Sequence, residues 1–112
     1  MIRALFLCGT GRARGPTASQ IFGGWDGVSA DFAGIWDEAD DQLGREQLDW
    51  ATMIFVMEQR HARRLEDRFG RALRGKQVIN LSIQDKYSFM QPELVEVLME
   101  KAGPQLRQGT RR

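Results

Sequence analysis

Cys8 and Arg14 are the two side chains whose types and spacing could do chemistry. Cys8 is the single cysteine of the chain and follows the apolar run Leu5-Phe6-Leu7. After it come Gly9-Thr10-Gly11-Arg12-Ala13-Arg14 and then Gly15-Pro16-Thr17. A thiol therefore opens a glycine-rich loop, and a guanidinium closes it just before a proline that can start a helix. The successive N–H groups of Gly9, Thr10, Gly11, Arg12 and Ala13 can turn inward around an anion, and the helix N-terminus adds partial positive charge. Both also favour thiolate over thiol, so a lowered Cys8 pKa is expected. Arg14 can grip two phosphate oxygens at once, and the short glycines let the backbone approach the ligand. Such a loop can bind a phosphate dianion and attack its phosphorus.

A lone cysteine at a strand end is, taken alone, most often a small buried apolar residue. The strand, the glycine loop, the arginine at this spacing and the Pro16 helix start together favour the chemical reading. Two other phosphate loops fail on residue type. The dinucleotide fingerprint needs glycine where Arg14 stands, and the Walker loop needs Gly-Lys-Ser/Thr.

The elements that must position the loop are legible in the apolar pattern. Ile2–Leu7 reads as a buried strand and Pro16–Phe22 as a helix, ended by Gly23-Gly24. Val28–Ala33 alternates as a second strand with Val28, Ala30 and Phe32 on one face. Gly34–Asp41 is a loop carrying Trp36 and four acids, and Leu43–Leu48 is a short helix. Thr52–Met57 is the clearest buried strand. Glu58–Phe69 is a helix with apolar contacts at Ala62, Leu65 and Phe69. Gln77–Leu81 is a fourth strand, and Ser82–Gln91 is a loop containing Asp85-Lys86-Tyr87. Pro92 opens a last helix that Gly103-Pro104 closes, with Leu94, Val95, Leu98 and Met99 facing inward. A basic, frayed tail is expected from about residue 104 to 112. Strands alternating with helices predict one α/β domain over residues 1–112, with a parallel sheet covered on both faces.

Composition sets the surrounding limits. A chain of 112 residues suits one core, and 42% apolar residues argue against disorder. A net charge of +1 gives no argument for a nucleic-acid or membrane partner. The apolar run at the N-terminus is too short for a signal peptide, and no stretch reaches transmembrane length, so a soluble cytoplasmic protein is expected.

With these residues in view, the chain resembles the low-molecular-weight protein tyrosine phosphatase family, in a short bacterial branch. The resemblance covers most of the chain. It rests on Leu5–Cys8 through Arg14–Ala18, Ala33-Gly34, Asp49-Trp50-Ala51 leading into Ile54–Glu58, and Asp85-Lys86-Tyr87 followed by Met90–Leu94. It implies a four-stranded parallel sheet with helices on both sides. It implies Cys8 as nucleophile, Arg14 as phosphate ligand and Asp85 as the general acid that later activates water, with no metal or cofactor. Aromatic residues from two loops wall the family's substrate cleft, which points to Tyr87 and Trp36; ordinary packing accounts for Trp36 equally well. Three positions depart from the family. Gly15 replaces a Ser or Thr whose hydroxyl supports the thiolate, Gly11 replaces an Asn that braces neighbouring loops, and Lys86 replaces the proline after the acid.

Other residues have plainer readings. Arg12 points to solvent and raises the local potential. Thr17 bonds the loop backbone or only serves the first helical turn. His61 lies among Gln59, Arg60, Arg63 and Arg64, which predicts a solvated helix face. The expected function is a cysteine-dependent phosphatase acting on a phosphotyrosyl protein or small aryl phosphate. The competing reading is a module that binds phosphate or a phosphoprotein on a weakened phosphatase fold. Arsenate reduction ranks last, because an intramolecular disulfide relay needs further cysteines.

Overall fold

Strand β1 (Ile2–Cys8) is buried along almost its whole length, as its apolar sequence demands. The computed structural model, which describes residues 1–110, pairs it on both sides. Strand β2 (Val28–Gly34) lies on one side, β3 (Met53–Val56) on the other, and β4 (Gln77–Asn80) beyond β3. The order is β2-β1-β3-β4 and every pairing is parallel. The register sets Phe6 between Phe32 and Phe55, and Cys8 beside Gly34.

Parallel strands need crossovers, and helices supply them. Helix α1 (Arg14–Phe22) joins β1 to β2, α2 (Arg45–Trp50) joins β2 to β3, and α3 (Gln59–Phe69) with a 3-10 turn at Gly70–Leu73 joins β3 to β4; α4 (Pro92–Lys101) and α5 (Gly103–Thr110) follow β4. Alternation along β1 divides the core in two. Ala4, Phe6 and Cys8 face Phe22, Leu94, Leu98 and Leu106 from α1, α4 and α5. Leu5 and Leu7 face the other way, against Ile35, Leu48 and Leu65. Phe6 stacks between Phe22 and Phe55, with ring centroids 5.7 Å and 4.9 Å away. Each fully buried Leu, Ile or Phe contributes about 1.5–3 kcal/mol, so this two-sided burial fixes β1, and with it the position of Cys8. The expected four-stranded parallel α/β sheet covered on both faces is the fold observed. No helix of the described residues is long and apolar enough to cross a membrane.

Three local expectations change. Helix α1 starts at Arg14, ahead of Pro16, so Arg14 and Gly15 are helical. The segment expected to fray as a basic tail is instead helix α5 through Thr110, with Leu106 buried in the core; Arg111 and Arg112 lie outside the described residues. His61, expected on a solvated face, is fully buried. It shares the four-residue stripe of Leu65 and Phe69, so the helix turns it inward despite its polar neighbours.

Candidate active site

In a sheet of this order the chain leaves β1 in one direction for β2 and later returns on the opposite side as β3. Ligands in such sheets bind where the direction switches, at the carboxyl ends of the strands. β1 ends there in Cys8, and β3 leads there through Met57 to Glu58. The loop 9–13 crosses from β1 to α1. Two bonds from the segment after β2 tie its start: Ile35 N–H to the Cys8 carbonyl at 2.9 Å, and Trp36 N–H to the Gly9 carbonyl at 3.0 Å. Gly11 holds φ +73° and packs close to Gly34. This left-handed conformation favours glycine or asparagine, which accounts for the residue type there.

Cys8 is 2% exposed. Burial pushes its thiol above the ordinary value; the N–H groups of Gly15 and Gly11 and the Arg14 guanidinium act against this, while the Asp85 carboxylate adds to it. The sequence-based expectation of a lowered pKa is therefore corrected. The N–H groups of Gly11 and Gly15 face the thiol, but desolvation of a thiol buried at the end of the sheet outweighs them.

Arg14 is also 2% exposed, and both of its hydrogen bonds fall on one nitrogen. Nη1 donates to Glu58 Oε2 at 2.5 Å and to the Ile83 carbonyl at 2.7 Å. Its Nε lies 3.9 Å from Asp85 Oδ1. One corner of the guanidinium is thus pinned, and its Nε side remains turned toward Asp85. Glu58 also accepts from Arg60 Nη2 at 3.2 Å. Despite some desolvation, the Arg14 and Arg60 guanidinium groups hold its carboxyl below the usual carboxylate range.

The structure brings Cys8, Arg14 and Asp85 to one end of the sheet, with Asp85 on an exposed loop. Trp36 covers Gly9, where even a Cβ would overlap its indole. Arg60 and Arg64 each stand 5.5 Å from its ring centroid. Tyr87 is half-buried against the core beside α4, with Lys86 Nζ 5.5 Å from its ring centroid. Arg12 is exposed and pairs with Asp40 at 3.6 Å. Thr17 is fully buried, and its hydroxyl accepts from the N–H of Met90 at 2.9 Å rather than serving the loop 9–13. His61 sits edge-on to Trp36, ring centroids 5.5 Å apart. Neither of its ring nitrogens has a hydrogen-bond partner among the described residues.

Sequence reasoning missed Glu58 and His61. Glu58 follows a buried strand, at the same sheet end as Cys8, and that placement was the available signal. Gly15 is the second residue of α1. A Cβ there would lie 3.3 Å from Cys8 Sγ, 3.2 Å from the Phe6 carbonyl oxygen and 3.3 Å from Phe32 Cβ.

The fold is that of low-molecular-weight protein tyrosine phosphatases, as solved structures show. YwlE arginine phosphatase from Geobacillus stearothermophilus is similar over 97% of this chain and 95% of its own, at 20% identity and a TM-score of 0.73. Wzb of Vibrio vulnificus, solved in complex with benzylphosphonate, is similar over 96% of this chain and 98% of its own, at 20% identity and a TM-score of 0.77. The low-molecular-weight protein tyrosine phosphatase of T. tengcongensis is similar over 97% and 99%, at 19% identity and a TM-score of 0.72. No protein-family model matches the sequence, and no curated protein does.

Proposed function

We propose that this protein is a cysteine-dependent phosphatase that hydrolyses phosphotyrosine or similar aryl phosphates through a cysteinyl-phosphate intermediate. The observation that carries the reading is the pinned Arg14. Its Nη1 is fixed by Glu58 and Ile83 while its Nε faces Asp85 at 3.9 Å, beside the loop that Cys8 opens. A phosphate held by the loop amides and the free side of Arg14 lies between thiol and carboxyl.

In this scheme the Cys8 thiolate attacks phosphorus as the P–O bond to the leaving group breaks. Asp85 in its acid form passes its proton to the departing phenolate. The Asp85 carboxylate then takes a proton from water, whose oxygen attacks phosphorus. The S–P bond breaks, giving phosphate and the Cys8 thiolate. Trp36, stacked on Gly9 at the loop, supports an aromatic leaving group. A cytoplasmic site suits a single thiol that must stay reduced.

One observation favours the second reading, a binding module. Burial holds the Cys8 thiol high, and Gly15 offers no hydroxyl to lower it. The test is hydrolysis of para-nitrophenyl phosphate by the wild type beside Cys8→Ser, with inorganic phosphate binding measured on both. Turnover by the wild type alone, with phosphate bound by both, is expected. Equal turnover by the two proteins excludes the cysteine mechanism. Binding without turnover by the wild type supports the module.

A further inference from the structure

We propose that Thr17 is a positioning residue for the loop that carries Asp85. Helix α1 holds that loop at both ends, so the phosphate-gripping arginine and the acid share one support. The proposal rests on the phosphatase reading and extends it to how the acid is kept in place.

Arg14 and Thr17 are three residues apart on α1 and therefore share a face. Arg14 reaches the start of the loop, donating from Nη1 to the Ile83 carbonyl at 2.7 Å. Thr17 reaches its end, where its hydroxyl accepts from the N–H of Met90 at 2.9 Å. Ser82 and Met90, at φ 53° and 60°, are the non-glycine residues with positive φ among those described, and they flank the loop. L-residues avoid this conformation, so each must be held in it. Lys101 Nζ donates to the Ser82 carbonyl at 2.9 Å, which braces the first. The Thr17 hydroxyl is the side-chain partner at the second. Between them Ile83 and Tyr87 pack against the core, while Gln84, Asp85, Lys86, Ser88 and Phe89 are exposed, so the Asp85 side chain itself has little packing. Helix formation does not require the Thr17 hydroxyl, since its own N–H already bonds the Ala13 carbonyl at 2.9 Å. Without the hydroxyl the Met90 N–H loses its partner, and the end of the loop is free to relax toward extended backbone.

The experiment compares wild type, Thr17→Val, Thr17→Ser, Asp85→Asn and the Thr17→Val, Asp85→Asn double variant on aryl phosphates of graded leaving-group pKa. It adds inhibition by inorganic phosphate and amide hydrogen exchange without substrate. General acid catalysis is worth about 10²–10⁴-fold, and a misplaced acid forfeits part of it. Thr17→Val is expected to lose about tenfold in kcat on poor leaving groups and little on good ones, with phosphate inhibition unchanged. Thr17→Ser restores the wild-type pattern, and Thr17→Val adds no loss to Asp85→Asn. Exchange at Met90 and across residues 84–89 quickens in Thr17→Val while β1 stays protected. Thr17→Ala is read the same way should the valine variant not fold. An equal loss across leaving groups, or unchanged exchange at Met90, overturns the proposal. Absence of turnover in the wild type overturns the phosphatase reading instead, and the exchange comparison still decides whether Thr17 anchors the loop.

Discussion

Arg14 Nη1 lies 2.5 Å from Glu58 Oε2, joining the first residue of α1 to the residue that precedes α3 by a bond across the end of the sheet. A guanidinium this buried needs an opposite charge, because an unpaired one is strongly destabilising. The same bond chooses which side of the guanidinium stays available. Nη1 is taken by Glu58 and Ile83, so an anion bound as proposed would meet the Nε side, where Asp85 stands. The strand order is what makes this possible, since it sets β3 directly beside β1.

Glu58 should therefore act on orientation more than on affinity. Glu58→Gln removes a negative charge near the anion site, so inorganic phosphate should inhibit as well as before or better. The amide oxygen still accepts from Nη1, but charge-assisted bonds are roughly twice as strong as neutral ones, so kcat should fall several-fold as the guanidinium is held less firmly at that corner. Steady-state kinetics with phosphate inhibition measure both. A collapse of phosphate affinity with kcat unchanged would contradict this role.

Gly15→Ser should lower the Cys8 pKa, because a hydroxyl on a Cβ 3.3 Å from Sγ can bond the thiolate. The Phe6 carbonyl at 3.2 Å and Phe32 Cβ at 3.3 Å must give way to that Cβ. Overpacking of this kind costs about 1 kcal/mol, so Tm should drop by roughly 4–8 °C. Gly15→Ala should show the same drop in Tm without the pKa change. The pH dependence of thiol alkylation, beside thermal melts, separates the two effects. Equal pKa shifts in both variants would assign the effect to crowding.

His61 should make the fold sensitive to mild acid. Burial, with Arg14 and Arg60 nearby, holds its pKa at about 4, against an ordinary 6.5, and Glu58 and Asp85 only partly oppose this. The unfolded chain then binds more protons, so its contribution is full above pH 6.5 and is lost as pH falls toward 4. The loss should be on the order of 2 kcal/mol. Glu58, whose pKa is depressed below the ordinary 4.5, adds its loss only at lower pH. Urea unfolding between pH 7 and 4, repeated on His61→Leu, checks this. The variant should lose the slope; an unchanged slope would place the titration elsewhere.

The sheet was legible because β1 and β3 are apolar runs with no competing period. The proximity of Cys8 and Arg14 was legible because they flank one short local loop, 9–13. Contacts between distant residues were not. Glu58 is 44 residues from Arg14, and Met90 is 73 from Thr17. Nothing local to either member announces such a partner. His61 was misread because polar neighbours outvoted its place in the Leu65 stripe. Residues 103–110 looked like a tail because Leu106 is nearly alone there; packing against β1, with Gly109 over Ile2, makes them part of the fold. The Cys8 pKa was misjudged because loop amides are readable in sequence and depth of burial is not.

The central claim is that phosphate passes through Cys8, and the direct measurement is intact mass with peptide mapping after acid quench of a reaction with para-nitrophenyl phosphate. Asp85→Asn, which slows hydrolysis of the intermediate, should accumulate it. The account predicts one phosphate on Cys8, absent from Cys8→Ser run in parallel. Turnover with no adduct on Cys8, or an adduct on another residue, would contradict it.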